Sequence, residues 1–469
     1  MENKKLNKKY VIIIAAVAAT GGFLFGFDAG VISGAVNFLQ DPKGWGLSDS
    51  QIEWVTTGVL LGAIIGAGAS GRITDILGRK KVILAAAVIF CGGALYTGMA
   101  PDFVSLFIGR LLLGVAVGTA SFTVPLYLSE ISPTKMRGAL VFLNQLMIAI
   151  GGKVSYLSDF LIANDADPYC WRWMFLVGFF PAVFMLVGMF FLPETPRWLI
   201  SKGFEERGRA ILKKVEEPGL IEESIRKIKG DIAIANESAS YKEIFKPWLR
   251  NPLIIAVGIM FFQQVSGINT VIYYSPKIFK MAGIQSNTMT IVPSLITAFF
   301  VLFAIILSIF LIDKVGRRKI FFIGMSGMIV SLFGTGLAFY LGSNLGGNLK
   351  YIALVTILLY NSFFAFSLGP LGWLLISEMF PLKVRGVGMS IGSLSNWFFN
   401  AVVAFTFLKL VNAFSTAGAF WIYTGFSVAA IIWGYYFIPE TKGVTLEEIE
   451  DHWRAGKLPK HLKQKATES

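Results

Sequence analysis

The chain has 469 residues, 55% of them apolar and only 15% charged, with 49 Gly and 41 Phe. So little charge cannot cover a water-soluble surface, which excludes a disordered, fibrous or ordinary cytosolic protein and fits a chain whose main solvent is lipid, where Gly serves close helix contacts. The net charge of +13 does not mark a nucleic-acid binder, because the basic residues lie in short interhelical segments and tails rather than on one face.

Apolar runs of about 20 residues, the length that crosses a hydrocarbon core, predict twelve helices. Six lie near 10–33, 53–73, 82–100, 104–128, 139–163 and 172–192, and six more near 252–276, 289–312, 320–342, 351–376, 388–412 and 419–438. The first run is too long for a secretory signal and lacks a cleavage site. The expected organisation is an all-α membrane protein: a six-helix bundle over 1–192, a charged linker with short helices over 193–250, a second bundle over 251–438 and a tail over 439–469. Glu205 to Val215 reads as an amphipathic helix inside the linker. Lys and Arg gather on the side of the termini and the linker, so both termini are expected to be cytoplasmic. The short outer loops carry no Asn-x-Ser/Thr acceptor, and a bacterial inner membrane is the expected location.

The charged positions inside these spans come in chain order. Asp28 in the first span and Arg110 in the fourth are opposite charges that lipid tolerates only together, so they are expected to pair, either as a proton switch or as a static ion pair. Lys153, near the middle of the fifth span, costs about 2.5 to 3.5 kcal/mol even on the lenient insertion scale, so it should reach an acid, a cavity or the interface. Asp159, nearer the outer end of that span, is expected in water.

The seventh span carries the densest polar patch: Gln263, Gln264, Ser266, Asn269, Thr270 and Tyr273, interrupted by Gly267. Such a face must meet partners or a water-filled cavity, and Gly267 permits a local break. Carboxamides suit sugars, because each offers donors and an acceptor to hydroxyls that themselves donate and accept; interhelical hydrogen bonding is the plainer use. In the tenth span Trp373 follows Gly369-Pro370, where an indole face can stack on a pyranose; plain packing is the alternative.

The two halves repeat one another. The run Asp75 to Lys80 returns as Asp313 to Arg318, Ser129-Glu130 with Arg137 returns as Ser377-Glu378 with Arg385, and Pro193-Glu194-Thr195 returns as Pro439-Glu440-Thr441. Two pseudo-symmetric bundles are the architecture of an alternating-access carrier. Asp75, Glu130, Asp313 and Glu378 beside Arg79, Arg137, Arg317 and Arg385, with Glu194 and Glu440, are expected to form inner-face ion-pair networks that latch the bundles together. Ordinary positive-inside charges with incidental acids are the alternative.

These motifs, with Gln263 to Asn269 and Pro193 to Arg197, resemble the sugar porters of the major facilitator superfamily over about residues 12–450, nearest to its bacterial sugar:proton symporters. The resemblance implies the major facilitator fold and carriage of a monosaccharide. It places Gln145, Gln263, Gln264, Asn269, Tyr273, Trp373, Asn396 and Trp397 on the sugar, and Asp28 with Arg110 in proton coupling. An uncoupled sugar or inositol carrier is the alternative. Two positions depart from the pattern: Val301 stands where many members have a sugar-binding Asn, and Gly152 where part of the family has Gln.

Other chemistries find no residues to carry them. The only histidines, His452 and His461, lie in the tail, Cys91 and Cys170 form no metal motif, and the surroundings of Gly152-Lys153 do not make a phosphate loop. No cofactor, metal, enzyme activity or nucleic-acid partner is expected; the partners are a sugar, a proton and the lipid bilayer, and the carrier is expected to be a monomer.

Overall fold

The computed structural model describes residues 8–133, 136–237, 241–381 and 384–462, and among these no strand occurs. Eleven continuous helical runs are long and apolar enough to cross a membrane. The last, Arg385–Phe437, contains a single non-helical residue, Ser415 at φ 68, and so counts as two spans. The expected connection over residues 413–418 thus contracts to one residue. The Ser415 hydroxyl accepts the Gly418 N–H at 3.3 Å, starting the next helix without a loop.

The N-terminal unit comprises residues up to Leu47 and Trp54–Glu237. Its elements are α1 (Lys8–Leu39), α2 (Asp49–Leu77), α3 (Arg79–Gly98), α4 (Phe103–Ile131) and α5 (Arg137–Ile162), followed by α6 (Trp171–Val177) and α7 (Phe179–Phe191), which make the sixth span with a joint at Gly178. Glycine sets the spacing of the first pair. A Cβ at Gly22, Gly26, Gly30 or Gly34 of α1 would overlap Asn144, the Ile148 carbonyl, Ser155 or Asp159 of α5. One small residue every four positions lets the two backbones touch, which in lipid replaces the missing hydrophobic drive with close dispersion contact. Gly62 and Gly66 of α2 meet backbone of α4 in the same way.

Beyond the sixth span come α8 (Pro196–Ser201), α9 (Glu205–Val215) and α10 (Ile221–Glu237). Their inward faces form a small apolar core of Ile200, Leu212, Ile221 and Ile225, and by contacts they belong to the N-terminal unit. The amphipathic helix read at Glu205 to Val215 is α9.

The C-terminal unit holds Ser48–Glu53 and the chain from Ser238 onward. The seventh span is α11 (Arg250–Val265), α12 (Ile268–Tyr273) and α13 (Ser275–Met281); α14 (Ile291–Val315) and α15 (Arg317–Leu341) follow. The tenth span is α16 (Leu349–Phe366) and α17 (Leu368–Met379), and α18 (Arg385–Phe437) supplies the last two. A tail helix, α19 (Leu446–Arg454), opens with a Thr445/Glu448 capping box, and its buried Trp453 donates to the Met379 carbonyl at 3.1 Å. Large apolar side chains stand outward in both units, for example Phe191 at 78% and Phe303 at 66% exposure, the reverse of a soluble protein and the arrangement lipid requires.

Candidate functional site

Gly267 breaks the seventh span. Its φ of 88 is left-handed, and a Cβ there would run into the Tyr423 ring, so only glycine fits. The tenth span breaks at Ser367, with Pro370 in the first turn of α17, where a missing N–H costs nothing. The Gln263 carboxamide answers that second break: its Nε2 donates to the Leu368 carbonyl at 2.9 Å and the Gly369 carbonyl at 3.2 Å.

The other end of Gln263 starts a chain of amides. Its Oε1 accepts from Asn396 Nδ2 at 2.6 Å and from Gln264 Nε2 at 3.4 Å, and Gln264 Oε1 accepts from Asn269 Nδ2 at 2.6 Å. Four of the residues read from sequence are therefore joined in one network inside the C-terminal unit. Their spare capacity differs. Both N–H groups and the oxygen of Gln263 are taken by protein, whereas Gln264, Asn269 and Asn396 each keep a donor or acceptor with no partner among the described residues.

The aromatic candidates divide similarly. Tyr273 is buried, and its hydroxyl accepts from Asn400 Nδ2 at 3.3 Å; Trp397 is 5% exposed. Trp373 on α17 is 37% exposed and offers an open indole face. Tyr360, which sequence reading passed over, donates to the Ser266 carbonyl at 2.8 Å and so holds the break beside Gly267; nothing local in the sequence links two residues so far apart.

In the N-terminal unit Arg110 Nη1 meets Asp28 Oδ1 at 2.6 Å, with side-chain exposures of 1% and 7%. The guanidinium also donates through Nε to the Val55 carbonyl at 3.4 Å and stands over the Phe175 ring. The second Asp28 oxygen has no hydrogen-bond partner, and beside it lies a small apolar cavity lined by Leu24, Phe27, Phe90, Leu113 and Phe175. The Asp28 carboxylate is thus held by one cation on one oxygen only. Gln145 is an exposed residue of α5 in this unit.

Two expectations about α5 change. Asp159 is not in water: it is fully buried and lies against Gly34, whose missing side chain makes the room. Lys153 reaches no acid among the described residues; its ammonium donates to the Ala149 carbonyl at 3.1 Å.

The repeated motifs form two matching nodes. In the first, Arg79 lies between Glu130, at 3.0 Å, and Asp75, at 3.4 Å, while the Glu194 carboxylate accepts the backbone N–H groups of Arg79 and Lys80 at 3.1 Å and of Thr195 at 2.8 Å. Glu194 thus caps the positive end of α3. Gly78, at φ 95, leaves it room. Burial pushes the Glu194 carboxyl above the ordinary glutamate range, and these N–H donors oppose the shift. In the second node Arg317 meets Glu378 at 3.0 Å and Asp313 at 2.7 Å, and Glu440 accepts from the N–H groups of Arg317 and Arg318 beside Gly316 at φ 100. Thr195 and Thr441 complete the match by donating to Glu130 at 2.7 Å and Glu378 at 2.6 Å.

The sequence reading made these residues latches between bundles. The bonds they form here join helices within one half, and Glu194 and Glu440 are helix caps rather than ion-pair partners. Arg385 departs too: its Nε donates to the Phe380 carbonyl at 3.2 Å, because Glu378 is already held by Arg317 and Thr441. The Arg137 side chain lies outside the described residues.

A further charged cluster escaped the sequence reading. The segment Ser48–Glu53 belongs to the C-terminal unit, where Asp49 pairs with Lys277 and accepts from Asn412 Nδ2 at 3.1 Å. Glu53, 1% exposed, accepts the Lys409 backbone N–H at 3.1 Å and has its ammonium at 3.9 Å. Two acids one turn apart at a helix start read as N-terminal charges, so their partners, hundreds of positions away, left no local signal.

Comparison with known proteins places this geometry. A family model described as sugar (and other) transporter matches residues 14–453. The galactose-proton symporter of Escherichia coli is 35% identical over 453 residues, covering 96% of each chain. The glucose transporter GlcP of Staphylococcus epidermidis is 38% identical over 447 residues, 95% of this chain and 97% of that one, and the major myo-inositol transporter of Bacillus subtilis is 34% identical over 458 residues, 97% and 96%. Among solved structures, the inward-open xylose transporter of Escherichia coli superposes with a TM-score of 0.82 at 31% identity, covering 95% of this chain and all of the other.

Proposed function

The chain belongs to the sugar porter family of the major facilitator superfamily, multi-pass membrane carriers and not enzymes, and from that premise we propose that it carries a monosaccharide by alternating access in symport with a proton. The observation that carries the reading is the amide network of Gln263, Gln264, Asn269 and Asn396, which leaves donors and acceptors at fixed spacing beside two broken spans. In this reading Gln264, Asn269 and Asn396 bind sugar hydroxyls, Gln263 holds the other amides in place, and Trp373 stacks on the ring, with Tyr273 and Trp397 beside them; Gln145 is a proposed sugar contact of the N-terminal unit. Asp28 takes the proton and Arg110 stabilises its charged form. The symporter among the relatives supports coupling. The carrier acts as a monomer in a bacterial inner membrane with both termini cytoplasmic, and Asp75, Arg79, Glu130, Arg137, Glu194, Asp313, Arg317, Glu378, Arg385 and Glu440 brace the helix ends that move.

Uptake of labelled sugars into proteoliposomes, with and without an imposed pH gradient, tests the proposal. Accumulation above equilibrium only with the gradient is expected; equal uptake in both conditions would leave an uncoupled carrier. Gln264→Ala and Asn269→Ala should each weaken sugar binding by about 1 to 3 kcal/mol, since each strands a hydroxyl in a desolvated site. Calorimetry on the purified variants checks this, and unchanged affinity in both would return these amides to packing. Val301 and Gly152 offer no amide where the family pattern described above has one, so xylose should compete less well than hexoses; a competition series led by xylose would contradict that.

A further inference from the structure

Lys153 has an ammonium inside a membrane-spanning helix and no countercharge among the described residues. Its one hydrogen bond goes to the Ala149 carbonyl at 3.1 Å, one turn back on α5, an oxygen that the helix itself already uses. The acids within the spans are committed elsewhere: Asp28 to Arg110, Asp49 and Glu53 to Lys277 and Lys409, and those at the span ends to Arg79 and Arg317. Asp159 has no ion-pair partner among the described residues, but it is buried against Gly34 of α1. Six residues of helix put it about 120° around α5 from Lys153, so the two cannot meet without unwinding α5.

The direction of the ammonium is informative. Gln145, Ala149 and Lys153 form one row of α5 at four-residue spacing, and neighbours in such a row touch. Folded over Ala149, the ammonium lies toward Gln145, which is exposed. Neither a carboxamide nor an ammonium at that depth is stable against lipid, so the stretch from Gln145 to Lys153 needs water beside it, whereas the continuation of the row at Leu157 and Leu161 is apolar and exposed. A cation beside that water, with no acid in reach among the described residues, can take an anion that arrives from solution.

We propose that Lys153 receives a carboxylate of the substrate, so that the carrier prefers a sugar acid, a hexuronate in ring form, over the neutral hexose of the same configuration. This rests on the reading that the chain carries a monosaccharide. A single ammonium provides one charged, hydrogen-bonding contact, enough for one carboxylate on a ring whose other groups are hydroxyls.

The test uses the full-length protein in proteoliposomes, with labelled galactose uptake inhibited by unlabelled galacturonate or galactose. Galacturonate should be the stronger inhibitor of the unmodified carrier by about tenfold or more, the order that one charge-assisted hydrogen bond supplies. Lys153→Met should erase that advantage, so that the two sugars inhibit about equally, and Lys153→Arg should retain most of it. Galacturonate no stronger than galactose, or equally strong in Lys153→Met, overturns the proposal. Failure of the underlying reading looks different: neither labelled galactose nor labelled galacturonate would enter the vesicles at all. Lys153→Met removes an unpaired charge from a membrane helix, so folding is not at risk.

Discussion

Replacing Asp28 with Asn is expected to abolish proton-driven accumulation of sugar while leaving counterflow exchange close to that of the unmodified carrier. Asn has the shape of the protonated acid and no charge, so the variant is fixed in the state that binding a proton produces. The apolar cavity beside the unpartnered Asp28 oxygen takes a neutral amide more readily than a charge, and Arg110 keeps its bond to the Val55 carbonyl and its contact with the Phe175 ring. Arg110→Ala should behave differently. It leaves Asp28 buried and unpaired, a loss of about 3 to 5 kcal/mol for breaking a buried pair, and both transport modes should fall together with stability. The measurement is a paired assay on the same vesicles, uphill uptake under a pH gradient beside counterflow without one. Normal uphill accumulation by Asp28→Asn would reduce the pair to a structural ion pair and leave the uncoupled carrier as the better reading.

Gly26→Val should be the most damaging substitution outside the polar positions. A Cβ at Gly26 lands on the Ile148 carbonyl and the Gly152 amide, both backbone groups of α5. Overpacking a well-filled interior costs about 1 to 3 kcal/mol when side chains can shift, and here no side chain is available to shift. The helices must part along the row from Gly22 to Gly34, and detergent-solubilised protein should aggregate or melt well below the unmodified chain. Gly92→Ala on α3 is the control: nothing lies within 4 Å of its Cβ, so it should leave the melting temperature unchanged or raise it slightly, as Gly→Ala at a compatible helix site gains about 0.4 to 1 kcal/mol. Thermal melts of the two variants, followed by size-exclusion chromatography, decide the matter; similar melting points would mean that α1 and α5 do not need backbone contact.

What sequence could show here follows from the range of each interaction. The spans were legible because crossing hydrocarbon demands a long apolar run, and α9 because its apolar period is local. Gly267 announced a break because a polar face surrounds it. Partners chosen across the fold were not legible. Glu194 looks like a gate charge beside Arg79 until the chain brings it onto the first N–H groups of α3, and Gln263 looks like its neighbour Gln264 until the Leu368 and Gly369 carbonyls claim it. Asp159 was misplaced for a related reason, since hydropathy places a carboxylate near a span end in water and only the gap left by Gly34 keeps it inside.

The two capping nodes bear on how such a chain arises. Every bond of the first is made by residues from Thr74 to Thr195, and every bond of the second by residues from Ile312 to Thr441. Neither half borrows a residue from the other to finish its helix ends. A gene encoding one half would therefore already specify a node with all its parts, and duplication followed by fusion would need no new bond there. The same independence makes the protein a candidate for expression as two polypeptides divided near Ser238, each inserting with its own node intact and the pair assembling afterwards.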